Sequence, residues 1–83
     1  MHCLIIPNPN FGTFDLVFDR KIEDGSIHIF NLLGTEILNI KINTLTDRIQ
    51  VNSNEFTQLT SGVYTLMLKT KSNKTIQNLL ILE

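Results

Sequence analysis

A chain of 83 residues with a formal net charge of −1 has room for one hydrophobic core and carries no field that would steer it to a polyanion. Its lysines and arginines do not cluster as phosphate-tracking side chains do, and no apolar run approaches the ~20 residues that cross a bilayer, which argues against nucleic acid binding and against a membrane span. Eleven Ile, twelve Leu, nine Thr and five Phe stand beside no Ala and no Trp, a composition that suits a pleated, half-buried surface and lacks the best helix former.

Short apolar stretches alternate with turn signals from end to end, and no 3.6-residue stripe interrupts them. Residues 3–6 predict a first strand, closed by Pro7-Asn8-Pro9-Asn10, where each proline forces its predecessor into extended geometry. Residues 13–18 predict a second, with Phe14, Leu16 and Phe18 on one face. Asp24-Gly25 then has the chemistry of a tight hairpin turn. Residues 26–31 predict a third strand, with Ile27 and Ile29 on one face and His28 and Phe30 on the other. Gly34 can supply a positive φ in the next loop, and residues 36–42 return as a fourth strand.

A fifth short strand is expected over residues 48–52, around Ile49 and Val51. Residues 53–61 read as irregular, with Phe56 and Leu59 as core plugs. Residues 62–70 form the clearest strand, and Lys71-Ser72-Asn73 turns into a last one over residues 74–82. Seven strands at this spacing predict one all-β domain over residues 1–83, an immunoglobulin-like sandwich of antiparallel strands. Leu59-Thr60-Ser61-Gly62-Val63-Tyr64 selects that version. Its spacing is that of a tyrosine corner, in which the hydroxyl bonds back to upstream backbone as the penultimate strand begins. Alternation then puts Tyr64, Leu66 and Leu68 inward and Val63, Thr65, Met67 and Lys69 outward.

The side chains that carry chemistry do not converge in the sequence. A metal site needs three or four ligands, and His2, Cys3 and His28 lack the local spacing of known sites. A lone Cys3 reads as a small buried hydrophobe, and residues 1–7 lack the basic start of a signal peptide. Ser26 and His28 share a face but have no evident third partner, so they read as neighbours by chance, with His28 on the strand surface. Glu23-Asp24 reads as solvated turn acids, and the four glycines, spread one per loop, form no phosphate cradle. No catalytic residue, metal ligand or cofactor site is therefore expected. The outward faces are more telling. Val17, Phe30, Leu38 and Met67 fall on outer or ambiguous faces, and the last strand is apolar on both sides, Leu80 and Leu82 on one and Leu79 and Ile81 on the other. An edge of that kind predicts packing against another chain.

Taken in order, three segments resemble the C-terminal sorting domain of the type IX (Por) secretion system of Bacteroidota. Ile6-Pro7-Asn8-Pro9-Asn10-Phe11-Gly12-Thr13-Phe14 is similar to that family's opening. The stretch from Ile27 to Ile37, running through Asn31-Leu32-Leu33-Gly34, resembles its middle motif, and the Leu59-x-x-Gly62-x-Tyr64 segment its signature. The resemblance implies that Pro7, Asn8, Pro9, Gly12, Asn31, Gly34, Leu59, Gly62 and Tyr64 carry recognition. It also implies a non-catalytic address label at the end of a larger exported protein of a Gram-negative bacterium, with the cargo upstream. The label would be read by the outer-membrane translocon, and a shuttle protein would pass the cargo to a sortase-like cysteine peptidase for cleavage and attachment at the cell surface. Members commonly finish on a basic strand, whereas here Lys74 is the last basic residue. Strand addition at Leu79, Leu80, Ile81 and Leu82 is the favoured docking mode, docking of loop tips the other. The alternative is an immunoglobulin-like accessory or spacer module, carbohydrate-associated in one version, which the absence of Trp disfavours.

Overall fold

Period-2 alternation buries one side of each strand, and two such surfaces facing each other make a core. In the computed structural model, which describes residues 3–55 and 60–81 and only the backbone of Ser53 and Leu80, this is realised by seven strands. They are β1 (Cys3–Ile6), β2 (Phe14–Ile22), β3 (Gly25–Phe30), β4 (Glu36–Ile42), β5 (Thr46–Val51), β6 (Gly62–Thr70) and β7 (Lys74–Ile81). A short 3₁₀ turn spans Ser53–Glu55. One sheet has the order β1-β2-β5 and the other β4-β3-β6-β7, and every strand pairing is antiparallel. The all-β sandwich is thus as expected, with the fourth strand in the sheet of the third.

The core alternates as the sequence does. Phe14, Leu16, Phe18 and Val51 of the first sheet meet Ile27, Ile29, Tyr64, Leu66, Leu68, Leu79 and Ile81 of the second, all buried. Cys3 joins them, and burial pushes its thiol up from 9.0 to about 11. The thiolate is the reactive form, so a maleimide at neutral pH should leave the native chain unmodified and label it on denaturation, read by intact mass. Because the folded thiol holds its proton more tightly than the unfolded one, its contribution to stability is complete below about pH 9 and is lost as pH rises from there to about 11.

Four expectations change. Asp24-Gly25 is not a hairpin, because β2 and β3 belong to different sheets; the two residues between them form an arch across the sandwich. Glycine is needed there for close approach, since a Cβ on Gly25 would lie 2.7 Å from the Lys69 carbonyl oxygen. Turn chemistry is common to hairpins and arches, so the sequence could not separate them. Second, β2 runs on through Asp19, Arg20 and Lys21 to a buried Ile22, with a register shift between Val17 and Ile22, and its overhang pairs with Thr46. That draws the start of β5 forward to Thr46, and β5 ends at Val51. Third, Leu38 faces inward, opposite Ile29, and packs on the core; Val17, Phe30 and Met67 are half-buried on outer faces. Fourth, residues 53–55 of the segment read as irregular form the 3₁₀ turn. Phe56 and Leu59 lie outside the described residues, as does Leu82.

Candidate recognition surface

The first of the three motif loops joins β1 to β2. Its organiser is Asn10, the one buried polar residue among those described. Nδ2 donates to the Pro7 carbonyl at 2.9 Å and Oδ1 accepts from the Gly12 amide at 2.8 Å, so one side chain folds the loop onto itself and satisfies its own buried amide. Both prolyl bonds, Ile6–Pro7 and Asn8–Pro9, are cis. The loop is tied to β7 at two points. Asn8 Nδ2 donates to the Asn78 carbonyl at 3.2 Å, and Asn10 forms a parallel bridge with Ile81.

The second loop, residues 31–35, joins β3 to β4. Asn31 Oδ1 accepts from the amides of Leu33 at 3.0 Å and Thr35 at 2.9 Å, while its backbone carbonyl accepts from the Gly34 amide at 3.0 Å. Gly34 sits at φ +85°, a conformation that glycine adopts without a steric cost. This network turns the tip outward and leaves Leu32 80% and Leu33 91% exposed.

The third segment is the tyrosine corner. Tyr64 Oη donates to the Thr60 carbonyl at 2.7 Å and accepts from the Thr60 amide at 3.3 Å, the backward bond over four residues that the spacing predicts. The ring is buried. Tyr64→Phe should lower stability by about 1–2 kcal/mol, the cost of one hydrogen bond and a carbonyl left short of a partner. The thermal midpoint checks it.

These segments gather at one end of the sandwich. Residues 31–33 and 60–64 line a single shallow hollow of about 180 Å³. Gly62 pairs with Ile81, which carries the bridge to Asn10. Pro7, Asn8, Pro9, Gly12, Asn31, Gly34, Gly62 and Tyr64 are thus brought together; Leu59 lies outside the described residues. None of residues 6–13, 31–35 or 60–64 is charged, whereas Asp24, Lys41, Lys69 and Lys71 border a hollow at the far end. The motif end therefore offers apolar side chains and amides.

The edge residues are placed differently from one another. Leu79 and Ile81 are wholly buried, so β7 shows a partner its outward side chains, Ile76 and Asn78 among them, and its backbone. Part of that edge is covered, since Asn8 and Asn10 hold Asn78 and Ile81, and Gln77 Nε2 donates to the Cys3 carbonyl across the sheets. Asn10 lies within the opening motif but outside the residues to which the resemblance assigns recognition. Its signal, an Asx side chain two residues before a glycine, was there to be used.

Ser26 and His28 also differ from expectation, because a third partner exists. Ser26 Oγ lies 2.7 Å from His28 Nε2, and His28 Nδ1 lies 2.5 Å from Glu36 Oε1. Strict alternation would turn Glu36 inward with Leu38 and Ile40. A bulge in β4, where Ile29 pairs with Leu38 but Phe30 with Glu36, turns it outward to the histidine.

Residues 4–82 match the family model described as the secretion system C-terminal sorting domain. No curated protein matches the chain significantly. The match covers nearly the whole sandwich and all three motif loops, and the chain belongs to the family of type IX (Por) secretion system C-terminal sorting domains, a sorting signal for secretion across the outer membrane.

Proposed function

We propose that the uncharged motif end is the surface that the secretion machinery reads, with Leu32 and Leu33 as its contact residues. The observation that carries this reading is the convergence of the motif loops around two leucines held almost fully in solvent. Exposed leucines on a loop fixed by four hydrogen bonds lose little conformational freedom on docking. The domain would form the last part of a larger exported protein. The outer-membrane translocon would engage the leucine tip, the shuttle would hold the same end, and the sortase-like peptidase would cut before the domain to leave the cargo at the cell surface. Strand addition at β7 remains available to a partner along the outward side of that strand.

The test fuses the domain to a signal peptide and a fluorescent reporter in a type IX-competent bacterium. The wild-type fusion should reach the surface or medium, and L32D/L33D should hold the reporter in the periplasm with the domain folded by protease resistance. Normal export of L32D/L33D overturns the contact assignment. Retention of a folded wild-type fusion overturns the sorting role of this chain.

A further inference from the structure

The outer face of the β4-β3-β6-β7 sheet carries a second constellation, which runs from the hollow at the far end to the root of the 31–35 loop. Along β3, Ser26, His28 and Phe30 point outward from the middle of the sheet. Ser26 is flanked by Lys41 on β4 and Lys69 on β6. The hydroxyl, the imidazole and the Glu36 carboxylate are joined in series at 2.7 and 2.5 Å. A neutral imidazole that donates from Nδ1 to the carboxylate has its lone pair on Nε2, facing the serine hydroxyl. The His28 side chain is 17% exposed, and its ring stacks on Phe30 with centroids 6.3 Å apart and planes 14° from parallel. Three contacts therefore fix one tautomer in one orientation. Ser26 and His28 line an open hollow of about 430 Å³, with Lys41 and Lys69 on its walls.

We propose that Ser26 is a covalent acyl-acceptor site, a function separate from sorting. The order hydroxyl, imidazole, carboxylate is what activates a serine nucleophile, whatever fold presents it. The acyl donor is an activated ester or thioester. Ser26 Oγ attacks its carbonyl carbon, the hydroxyl proton passes to His28 Nε2, and the carbonyl π pair moves onto oxygen. Lys41 and Lys69, which line the hollow, supply the positive charge nearest that oxyanion. As the tetrahedral centre collapses, the bond to the leaving alkoxide or thiolate breaks and that group takes the proton from Nε2. The product is an ester on Ser26. Glu36 touches neither reactant and is a positioning residue. The lysine walls favour donors that carry negative charge.

The experiment incubates the full 83-residue chain with p-nitrophenyl acetate. A burst of p-nitrophenolate approaching one equivalent is expected, with one acetyl on Ser26 by fragmentation mass spectrometry. Hydroxylamine should remove it, as it removes an ester and not a lysine amide. S26A should abolish the burst, and H28Q should slow it by about 100-fold or more, the usual worth of a general base. E36Q should slow it and change the shape of the pH–rate profile, with E36D restoring part of both; a merely structural carboxylate would leave the profile unchanged. Thermal midpoints accompany each variant. Acetyl found only on lysines, or no burst from the wild type, overturns the proposal without recourse to any variant. So does wild-type labelling of Ser26 in a folded H28Q chain.

Discussion

Removing residues 79–83 should abolish folding. Leu79 and Ile81 are both fully enclosed, and they pair with Tyr64 and Gly62 at the head of β6. Truncating one buried Leu or Ile to Ala costs about 2–5 kcal/mol, so losing both side chains costs about 4–10 kcal/mol before the ladder to β6 is counted. A domain of this length has about 4–12 kcal/mol in all, at 0.05–0.15 kcal/mol per residue. The deletion also takes away Ile81, the residue that Asn10 bridges, so the Pro7 loop loses its anchor on the sheet. The truncated chain should show no cooperative urea transition and no near-ultraviolet signal from Tyr64. A sigmoidal transition at the wild-type midpoint would mean that the end of β7 is not core. One consequence is practical: retained cargo after this truncation reports an unfolded label, not a lost docking edge. Ile76→Lys, at an exposed outward position on the same strand, probes the edge with the fold intact.

What was legible in the sequence is what depends on period 2 and on local turn chemistry. The inward sets Phe14-Leu16-Phe18 and Tyr64-Leu66-Leu68 follow from alternation alone, and the corner at Tyr64 from a spacing that only one bond satisfies. What was not legible depends on which strands become neighbours. The arch at Gly25 has the same local chemistry as a hairpin and differs only in which sheet receives β3. The β4 bulge reverses the facing of Glu36, and nothing within β4 announces it, because the irregularity arises from pairing with β3. The sequence alone therefore does not place Glu36 beside His28.

The motif residues themselves behave in one way. Asn10, Asn31 and Tyr64 each direct their side chain back onto nearby backbone, so they shape loops and leave few polar atoms for a partner. A motif of this kind specifies the form of a surface. The exposed part of that surface is made by the residues between, Phe11, Leu32 and Leu33. Recognition through them separates from stability because they contribute little to the core.

Phe14→Ala and Phe11→Ala put that separation on one chemical change. The two phenylalanines stand three residues apart on either side of the Gly12 turn, 2% and 70% exposed. Phe14 opens β2 opposite Val51, itself fully enclosed. Its truncation leaves a cavity that the two sheets cannot close without breaking their registers, and about 3–5 kcal/mol should be lost. That is a quarter or more of the ~4–12 kcal/mol expected for the whole domain. Phe11→Ala, with nothing to vacate, should stay within ~0.5 kcal/mol of wild type. Urea titration of both variants measures the difference, with the slope unchanged if both native states keep the same buried surface. In the export fusion, Phe14→Ala should fail because the label is unfolded for part of the time, and stabilising conditions such as lower growth temperature should restore it. Any defect of Phe11→Ala should persist under those conditions, since a missing contact is not regained by folding more completely. Equal midpoints for the two variants would refute the placement of the loop between them.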